Sequence, residues 1–274
     1  MKKRITMTLD KGILKKVDGT IDNITVKNRS AAVEKLVRKA FQINGISKAV
    51  VLAGGIGTRL RPLTYEVPKS LIPIQGRALV EHLILNLKSF GINDILLSVG
   101  HMSEKIIAHL GDGNNLGVNI EYLVEKEPLG TAGPLRLAKG KIDSTFVMMN
   151  GDLLSKIDVL DMLQTHLNSN STGTIALTTV KDPSRFGVAT LNGSAITGFI
   201  EKPKDRISNL INAGLYIFEP SIVDYLPNKK KAMLEKDVFP KLAKQGKLSG
   251  YVYSGPWYDL GTNESYEKAI KEWK

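Results

Sequence analysis

Two textures of apolar and polar positions divide the chain. Over residues 4–9, Ile5, Met7 and Leu9 alternate with Arg4, Thr6 and Thr8, the period-two pattern of a half-buried strand. Ile13, Leu14 and Val17 then fall at helical spacing behind Asp10, a candidate N-cap, with Gly19 near the stop. A second helix is predicted through NRSAAVEKLVRKAF (28–41), capped by Asn28 or Ser30. Its apolar stripe is Ala32, Val33, Leu36, Val37, Ala40 and Phe41, and QING (42–45), with Gly45 as breaker, ends it. From Ser47 onward, apolar strands alternate with helical patterns. KAVVLA (48–53) reads as a buried strand, ALVEHLILNLKSFG (78–91) as a helix ending at Gly91, and DILLSVG (94–100) as the next strand. SEKIIAHLG (103–111) follows as a helix capped by Ser103, VNIEYLV (118–124) as a strand, TAGPLRLAKG (131–140) as a short helix and TFVMMN (145–150) as a strand. This βαβα order predicts an α/β domain with a doubly wound, mostly parallel sheet. After residue 170 the pattern is richer in strands. FGVATLNGSAITGFIEK (186–202) reads as a hairpin around Asn192-Gly193, and two helical segments flank a last strand, LSGYVYS (248–254).

One strand and two helices in some forty residues cannot close a core alone, and a single strand leaves both of its edges unpaired. A second copy of the chain solves both problems, so a homodimer or higher homo-oligomer is expected. Charge adds to this picture. The net charge is +11, and residues 1–48 hold 12 Lys and Arg against 4 Asp and Glu, while the rest of the chain is nearly balanced. Such an excess on a small module suggests a polyanionic partner. RITMTLD with NRSAAVEKLVRKAF resembles the ribbon-helix-helix DNA-binding family over roughly residues 3–42. The resemblance implies that two chains pair their first strands and insert that ribbon into the major groove of duplex DNA. Arg4, Thr6 and Thr8 would then face base edges, and the helix start near Asn28 and Ser30 would hold a backbone phosphate. The competing reading is a small dimerisation module that does not bind DNA. The expected boundary puts this unit at 1–45 and the second domain at 46–274.

Composition mainly excludes. No stretch approaches the roughly 20 apolar residues of a membrane span, and the basic start lacks the apolar core of a signal peptide. There is no cysteine, which removes disulfides, thiolate metal sites and thiol nucleophiles. A cytoplasmic protein is expected.

The chemistry concentrates behind the first strand of the second domain, in LAGGIGTRLRPLTYEVPKSLIPI (52–74). Glycines let backbone N–H groups approach phosphate oxygens, Arg59 can bridge them with its fork, and Lys69 supplies a compact charge. A Walker A loop would need Lys-Ser or Lys-Thr after the glycines, and a dinucleotide fingerprint a third glycine where Leu60 stands, so neither applies. With EPLGTAGPL (127–135), NGD (150–152), PSRFGV (183–188), FIEKP (199–203), INAGLYIF (211–218), LEKDVFPKLA (234–243) and WYDLG (257–261), this stretch resembles the sugar-1-phosphate nucleotidylyltransferases. Within them the mannose-1-phosphate guanylyltransferases look nearest.

The resemblance implies a Rossmann-like nucleotidyltransferase core and a reaction in which a sugar 1-phosphate attacks the α-phosphorus of an NTP. Arg59, Lys69, Asp152 and Lys202 would be catalytic. Leu52, Gly54, Gly55, Gly57, Thr58, Glu127, Gly130, Thr131, Gly151, Glu201 and Asn212 would bind substrate, with LGTAG (129–133) around the nucleobase and ribose. Asp152 and Asp259 would share Mg²⁺. GTP with mannose 1-phosphate is the expected pair, and UTP or dTTP with glucose 1-phosphate the alternative. A transcription regulator that only senses a nucleotide sugar is the rival from another class. Some relatives carry a C-terminal β-helix of hexapeptide repeats, and regulation of that kind is not expected here. Taken singly, an Asp after Asn-Gly is a turn residue and EKP a strand end; their joint order carries the reading. His101 is read as a loop histidine, GDGNNLG (111–117) as a turn, and the run NKKKAMLEK (228–236) as a solvated basic patch.

Overall fold

Asp10 opens α1 (Lys11–Asp18) by accepting a hydrogen bond from the Gly12 amide at 2.7 Å, and Gly19 closes it. Asn28 opens α2 (Arg29–Ala40), its Oδ1 accepting from the Ala31 amide at 2.9 Å. Asn28 is therefore the cap, and Ser30 lies exposed in the first turn. The computed structural model describes residues 5–21, 26, 28–40 and 46–273, and the chain divides into two units, Met1–Gly45 and Ile46–Lys274.

In the first unit, Val17, Val26 and Ala32 form a small core, with Leu9, Ile21, Ala31, Val33 and Leu36 packed against it. The Asp18 carboxylate accepts from Arg29 Nε at 2.7 Å and Nη2 at 2.9 Å, which ties α1 to α2 and holds the Asp18 carboxyl below its usual range. Of the other apolar positions described, Ile5 is 73% exposed, Met7 47%, Ile13 52% and Val37 42%, while Leu14 is half-buried. Among the described residues, 5–10 form no strand, contrary to the pattern of alternation. A ladder needs a second strand, and none is present among the described residues of this unit. Thr6 and Thr8 are exposed. Arg4, Phe41, the segment 42–45 and the side chain of Ala40 lie outside the described residues.

The second unit is built on a sheet of nine strands. Its first half holds β1 (Lys48–Leu52), β4 (Asp94–Val99), β5 (Asn119–Val124) and β6 (Phe146–Asn150), after the short pair β2 (Pro73–Ile74) and β3 (Arg77–Ala78). Helices α3 (Leu79–Ser89), α4 (Ser103–Leu110) and α5 (Pro134–Leu137) connect them. Then come β7 (Leu153–Ser155), α6 (Val159–Ser169), β8 (Gly173–Thr179), β9 (Gly187–Asn192), β10 (Ala195–Glu201), β11 (Leu210–Phe218), α7 (Phe239–Lys244), β12 (Leu248–Val252), β13 (Trp257–Asp259) and α8 (Asn263–Glu272). Strand order is β5-β4-β1-β6-β11-β8-β12-β10-β9, and β7 pairs separately with β13.

β5, β4, β1 and β6 run parallel. The other half is not: β11 is antiparallel to β6 and β8, β12 parallel to β8, and the β9–β10 hairpin antiparallel. The sheet is therefore mixed rather than mostly parallel. A buried apolar run looks the same in either direction, so residues 173–218 do not announce their orientation. Both faces are covered. α3, α4, α6 and α8 contribute Leu83, Leu87, Ile106, Leu163 and Ala269 to one buried layer, while Leu135, Phe239 and Leu242 of α5 and α7 join the other. Each of the leucines, Ile106 and Phe239 contributes roughly 1.5–3 kcal/mol. α4 differs from expectation at its start: Met102, in a left-handed conformation without a side-chain bond, precedes it, and Ser103 is its first residue rather than its cap. Among the described residues no helix is long and apolar enough to cross a membrane.

Candidate active site

The strand β1 is apolar on both faces and ends at Leu52, so the chain leaves it at the carboxyl edge of the sheet. The glycine loop begins there, in the place where open α/β sheets bind ligands. It is folded by its own bonds: the Gly57 carbonyl accepts from the Leu60 amide at 2.9 Å and from Thr64 Oγ1 at 2.8 Å. The neighbouring strand β6 ends beside it in the turn Asn150-Gly151-Asp152, and the Gly151 amide donates to the Leu52 carbonyl at 2.9 Å. A Cβ on Gly151 would lie 2.2 Å from that oxygen, so only glycine brings the turn so close.

That approach sets Asp152 against Lys69. Lys69 Nζ donates to Asp152 Oδ2 at 2.7 Å, and Lys69 is 8% exposed. β13 pairs with β7 so that Asp259 stands opposite Leu153, and the Leu260 amide donates to the Asp152 carbonyl at 2.9 Å. The two aspartates are thus neighbours. Burial, and then the negative charge of Asp152, push the Asp259 carboxyl above its usual range, against the pull of Lys69, Arg59 and Arg185. A partly buried carboxylate that another carboxylate disfavours has a natural use for a small cation. Among the described residues no cluster of three or more His, Cys, Asp or Glu exists. Magnesium commonly takes only one or two carboxylates and completes its shell with water and phosphate oxygens, so the pair fits.

Two cavities adjoin at this point. The first, about 280 Å³, is lined by Leu52, Gly54, Gly55, Lys69, Gly130, Thr131, Gly151 and Asp152 of the expected residues. The second, about 400 Å³, is lined by Arg59, Asp152, Glu201, Lys202, Asn212 and Asp259. Asn150, Asp152 and Met233 border both. Three expected residues lie outside these walls. Gly57 and Thr58 sit in the glycine loop, and Glu127 forms an ion pair with Lys230. Lys202 is the most unusual in backbone terms, with φ of 51°, and its Nζ lies 3.7 Å from Glu201. A non-glycine residue in that region is strained, and such strain concentrates at functional sites. Asn212 is already engaged: its Nδ2 donates to Tyr216 Oη at 2.9 Å and its Oδ1 accepts from the Gly214 amide at 2.9 Å.

Several wall residues were not singled out from sequence, namely Ser70, Glu125, Asn150, Arg185, Met233 and Glu235. Glu125 Oε1 accepts from Ser98 Oγ at 2.6 Å and Oε2 from the Leu129 amide at 2.9 Å, which anchors the 129–133 loop to β4. Ser70 Oγ and Asn150 Oδ1 are buried without a hydrogen-bond partner among the described residues. Unpaired buried polar atoms are uncommon, and both residues belong to the wall of the first cavity. Most of these residues stand inside motifs quoted from the sequence, where their neighbours drew the attention. In the run NKKKAMLEK the lysines are exposed as expected, Lys229 pairing with Asp237 at 2.7 Å and Lys230 with Glu127, while Ala232, Leu234 and Glu235 are buried.

A glycine-rich loop with Arg59 and Lys69 at the carboxyl edge of an α/β sheet, beside two carboxylates and two adjoining cavities, has the parts that a phosphoryl-handling class of site requires. Residues 48–274 match the family described as Nucleotidyl transferase, and the chain belongs to that family. The mannose-1-phosphate guanylyltransferase of Mycobacterium tuberculosis is 39% identical over 222 residues, 80% of this chain and 62% of that protein. A mannose-1-phosphate guanyltransferase of Gibberella zeae is 39% identical over 226 residues, with 80% and 62% covered. The chain thus spans about 62% of the length of these curated relatives. Among solved structures, a putative glucose-1-phosphate thymidylyltransferase of Bacillus anthracis in complex with a sucrose superposes with a TM-score of 0.76 at 30% identity, over 82% of this chain and 94% of that one. HddC of Yersinia pseudotuberculosis complexed with GMP-PN gives 0.71 at 28% identity, over 84% and 100%.

Proposed function

We propose that residues 46–274 transfer a nucleotidyl group from an NTP to a sugar 1-phosphate, giving an NDP-sugar and pyrophosphate, with GTP and mannose 1-phosphate as the preferred pair. The observation that carries this is the junction itself: two cavities, one behind the glycine loop and one before Lys202, meet at Asp152 and its Lys69 partner. A phosphate oxygen of the sugar 1-phosphate attacks the α-phosphorus. The bond between that phosphorus and the bridging α–β oxygen breaks, and pyrophosphate departs on the opposite side. No covalent nucleophile is needed, so positioning and charge neutralisation carry the catalysis. Arg59 and the loop amides hold the triphosphate in this reading, Lys69 faces the α-phosphate, Lys202 binds the sugar phosphate, and Glu201 and Asn212 meet sugar hydroxyls. Asp152 and Asp259 would hold a divalent cation, taken to be Mg²⁺, which when bound neutralises developing charge on the phosphate oxygens. The similarity to the two mannose-1-phosphate enzymes supports the choice of base and sugar. The B. anthracis structure favours a second pair, dTTP or UTP with glucose 1-phosphate. Pyrophosphate release across a matrix of NTPs and sugar 1-phosphates decides between them. A highest kcat/KM for any pair other than GTP with mannose 1-phosphate replaces the assignment, and no release with any pair leaves the sensor reading.

For residues 1–45 we propose a ribbon-helix-helix unit that pairs with a second copy and binds duplex DNA. Its supports are the uncovered Ile5, Met7, Ile13 and Val37, the local positive charge and the capped start of α2. Exposed Thr6 and Thr8, with Arg4, would read base edges, and the α2 N-terminus around Asn28 and Ser30 would meet a phosphate. Sedimentation of the full chain, together with duplex binding at low and high salt, tests it. A monomer, or no duplex affinity at low salt, removes this part and leaves the transferase reading standing.

A further inference from the structure

Glu235 is a carboxylate in an unexpected place. It is 7% exposed, and it sits in a single π-helical turn, Leu234–Val238, that runs directly into α7. Such turns are rare and recur at functional sites. The side chain that donates to it is a hydroxyl, that of Thr131. The Leu234 amide, which can only donate, gives its proton to Thr131 Oγ1 at 2.9 Å. The Thr131 hydroxyl proton is therefore directed at Glu235 Oε2, 2.6 Å away. Burial holds the Glu235 carboxyl above its usual range, opposed first by this Thr131 bond.

Thr131 and Glu235 belong to different cavities. Thr131 lines the one behind the glycine loop, and Glu235 lines the one with Glu201 and Lys202. The two segments are clasped along their length. The Ala132 amide donates to the Ala232 carbonyl at 3.0 Å, and the Ala232 amide to the Leu129 carbonyl at 2.9 Å. Gly130 makes the clasp possible: its φ is 79°, and a Cβ there would lie 2.3 Å from the Ala232 oxygen. Met233 separates the cavities and borders both. A buried charge at such a wall is costly unless something polar meets it. Thr131 occupies one oxygen, and the cavity beside Lys202 is where a second donor can arrive.

Resting on the nucleotidyl-transfer reading of the two cavities, we propose that Glu235 contacts the sugar. Its carboxyl accepts a hydrogen bond from a hydroxyl of the sugar 1-phosphate, while Thr131 fixes its position from the nucleotide side. Glu235 is then a specificity residue for the hydroxyl pattern of the sugar. A site built to pair a hydroxyl rejects the analogue that lacks it far more strongly than a merely apolar pocket rejects a change of size.

The experiment uses the full chain with Mg²⁺, GTP and a series of monodeoxy mannose 1-phosphates, comparing wild type, Glu235→Met and Glu235→Gln. One deoxy sugar is expected to lose about tenfold or more in kcat/KM with wild type and no more than about twofold with Glu235→Met, because the acceptor is already gone. Glu235→Gln, which keeps a neutral acceptor, should fall between them. GTP affinity measured without sugar should stay within about threefold in Glu235→Gln, a readout that general loss of structure would not spare. The proposal is overturned if every deoxy sugar is penalised alike in wild type and variants, or if Glu235→Met keeps wild-type kcat/KM. Should Glu235→Met fail to fold, Glu235→Gln carries the same comparison. A wild type that turns over no NTP–sugar pair strikes the underlying function instead. The deoxy series is then read by equilibrium binding, where the same pattern upholds the Glu235 contact and its absence overturns it.

Discussion

The two units of this chain differ in how completely they satisfy themselves. In 46–274 the sheet is covered on both faces, and Val50, Leu87, Val147 and Phe218 are wholly buried. Among the described residues of 1–45, Val17, Val26 and Ala32 form a small core, while Ile5, Met7, Ile13 and Val37 remain exposed. The difference teaches where to look for function. A unit with a closed core spends its irregular features on a site, such as the left-handed Lys202 or the unpaired Asn150 Oδ1. A unit with an open core carries its function on the faces it has not covered.

The sharpest way to break the contrast is to remove the charge at the junction. Asp152→Ala and Asp259→Ala should each lower kcat by about 10³-fold or more, a scale set by losing electrostatic stabilisation of the transition state, while the fold survives, Asp152→Ala being the less stable because it leaves buried Lys69 without its partner. Pyrophosphate release measures this, and wild-type-like turnover would dismiss the pair as structural. Next in size is the double substitution Ile5→Lys with Met7→Lys. If residues 1–45 pair with a second copy and bind duplex DNA as proposed, it should yield a monomer and cut duplex affinity by about a hundredfold or more at low salt, since the pairing of two basic units would be lost. Transferase turnover should change less than about twofold, within the scatter of substitutions far from a site. Loss of turnover there would tie the two units together functionally.

Smaller effects separate the cores. Leu87→Ala, at a position with no exposure, should cost ~2–5 kcal/mol in the stability of the second unit. Val17→Ala removes two methyl groups and should cost about 1.6 kcal/mol, confined to the first unit. Calorimetry reads both, and a single shared transition that shifts with either variant would contradict independent cores. Least of all, Asn28→Ala removes the bond to the Ala31 amide and should cost about 1 kcal/mol in the α2 unit.

Periodicity predicted most elements of the first half of the second unit, because β1, β4 and β6 are long apolar runs and α3 has a clear stripe. It gave no account of α6 or of the β7–β13 pair. Three residues of Leu153–Ser155 carry too little pattern, although this pair is what sets Asp259 beside Asp152. The mixed direction of β8, β11 and β12 was equally illegible, since burial on both faces erases alternation. Charged site residues stood out by type and order, as Arg59, Lys69, Asp152 and Lys202 do. Glu235 did not, because its significance lies in a bond to Thr131, 104 positions away in the chain. The strand expected over 4–9 is absent from the described residues 5–10, and the alternation of Ile5, Met7 and Leu9 alone did not reveal that.

Lys202 has a consequence beyond this chemistry. Its backbone holds a left-handed conformation that glycine would adopt without cost, yet its side chain is what the proposed reaction requires. Selection for thermal stability alone would favour glycine there, and selection for turnover would favour lysine. A library of variants sorted only by resistance to heat should therefore drift toward inactive sequences at position 202. The same library sorted by product formation should keep lysine and the local strain that comes with it.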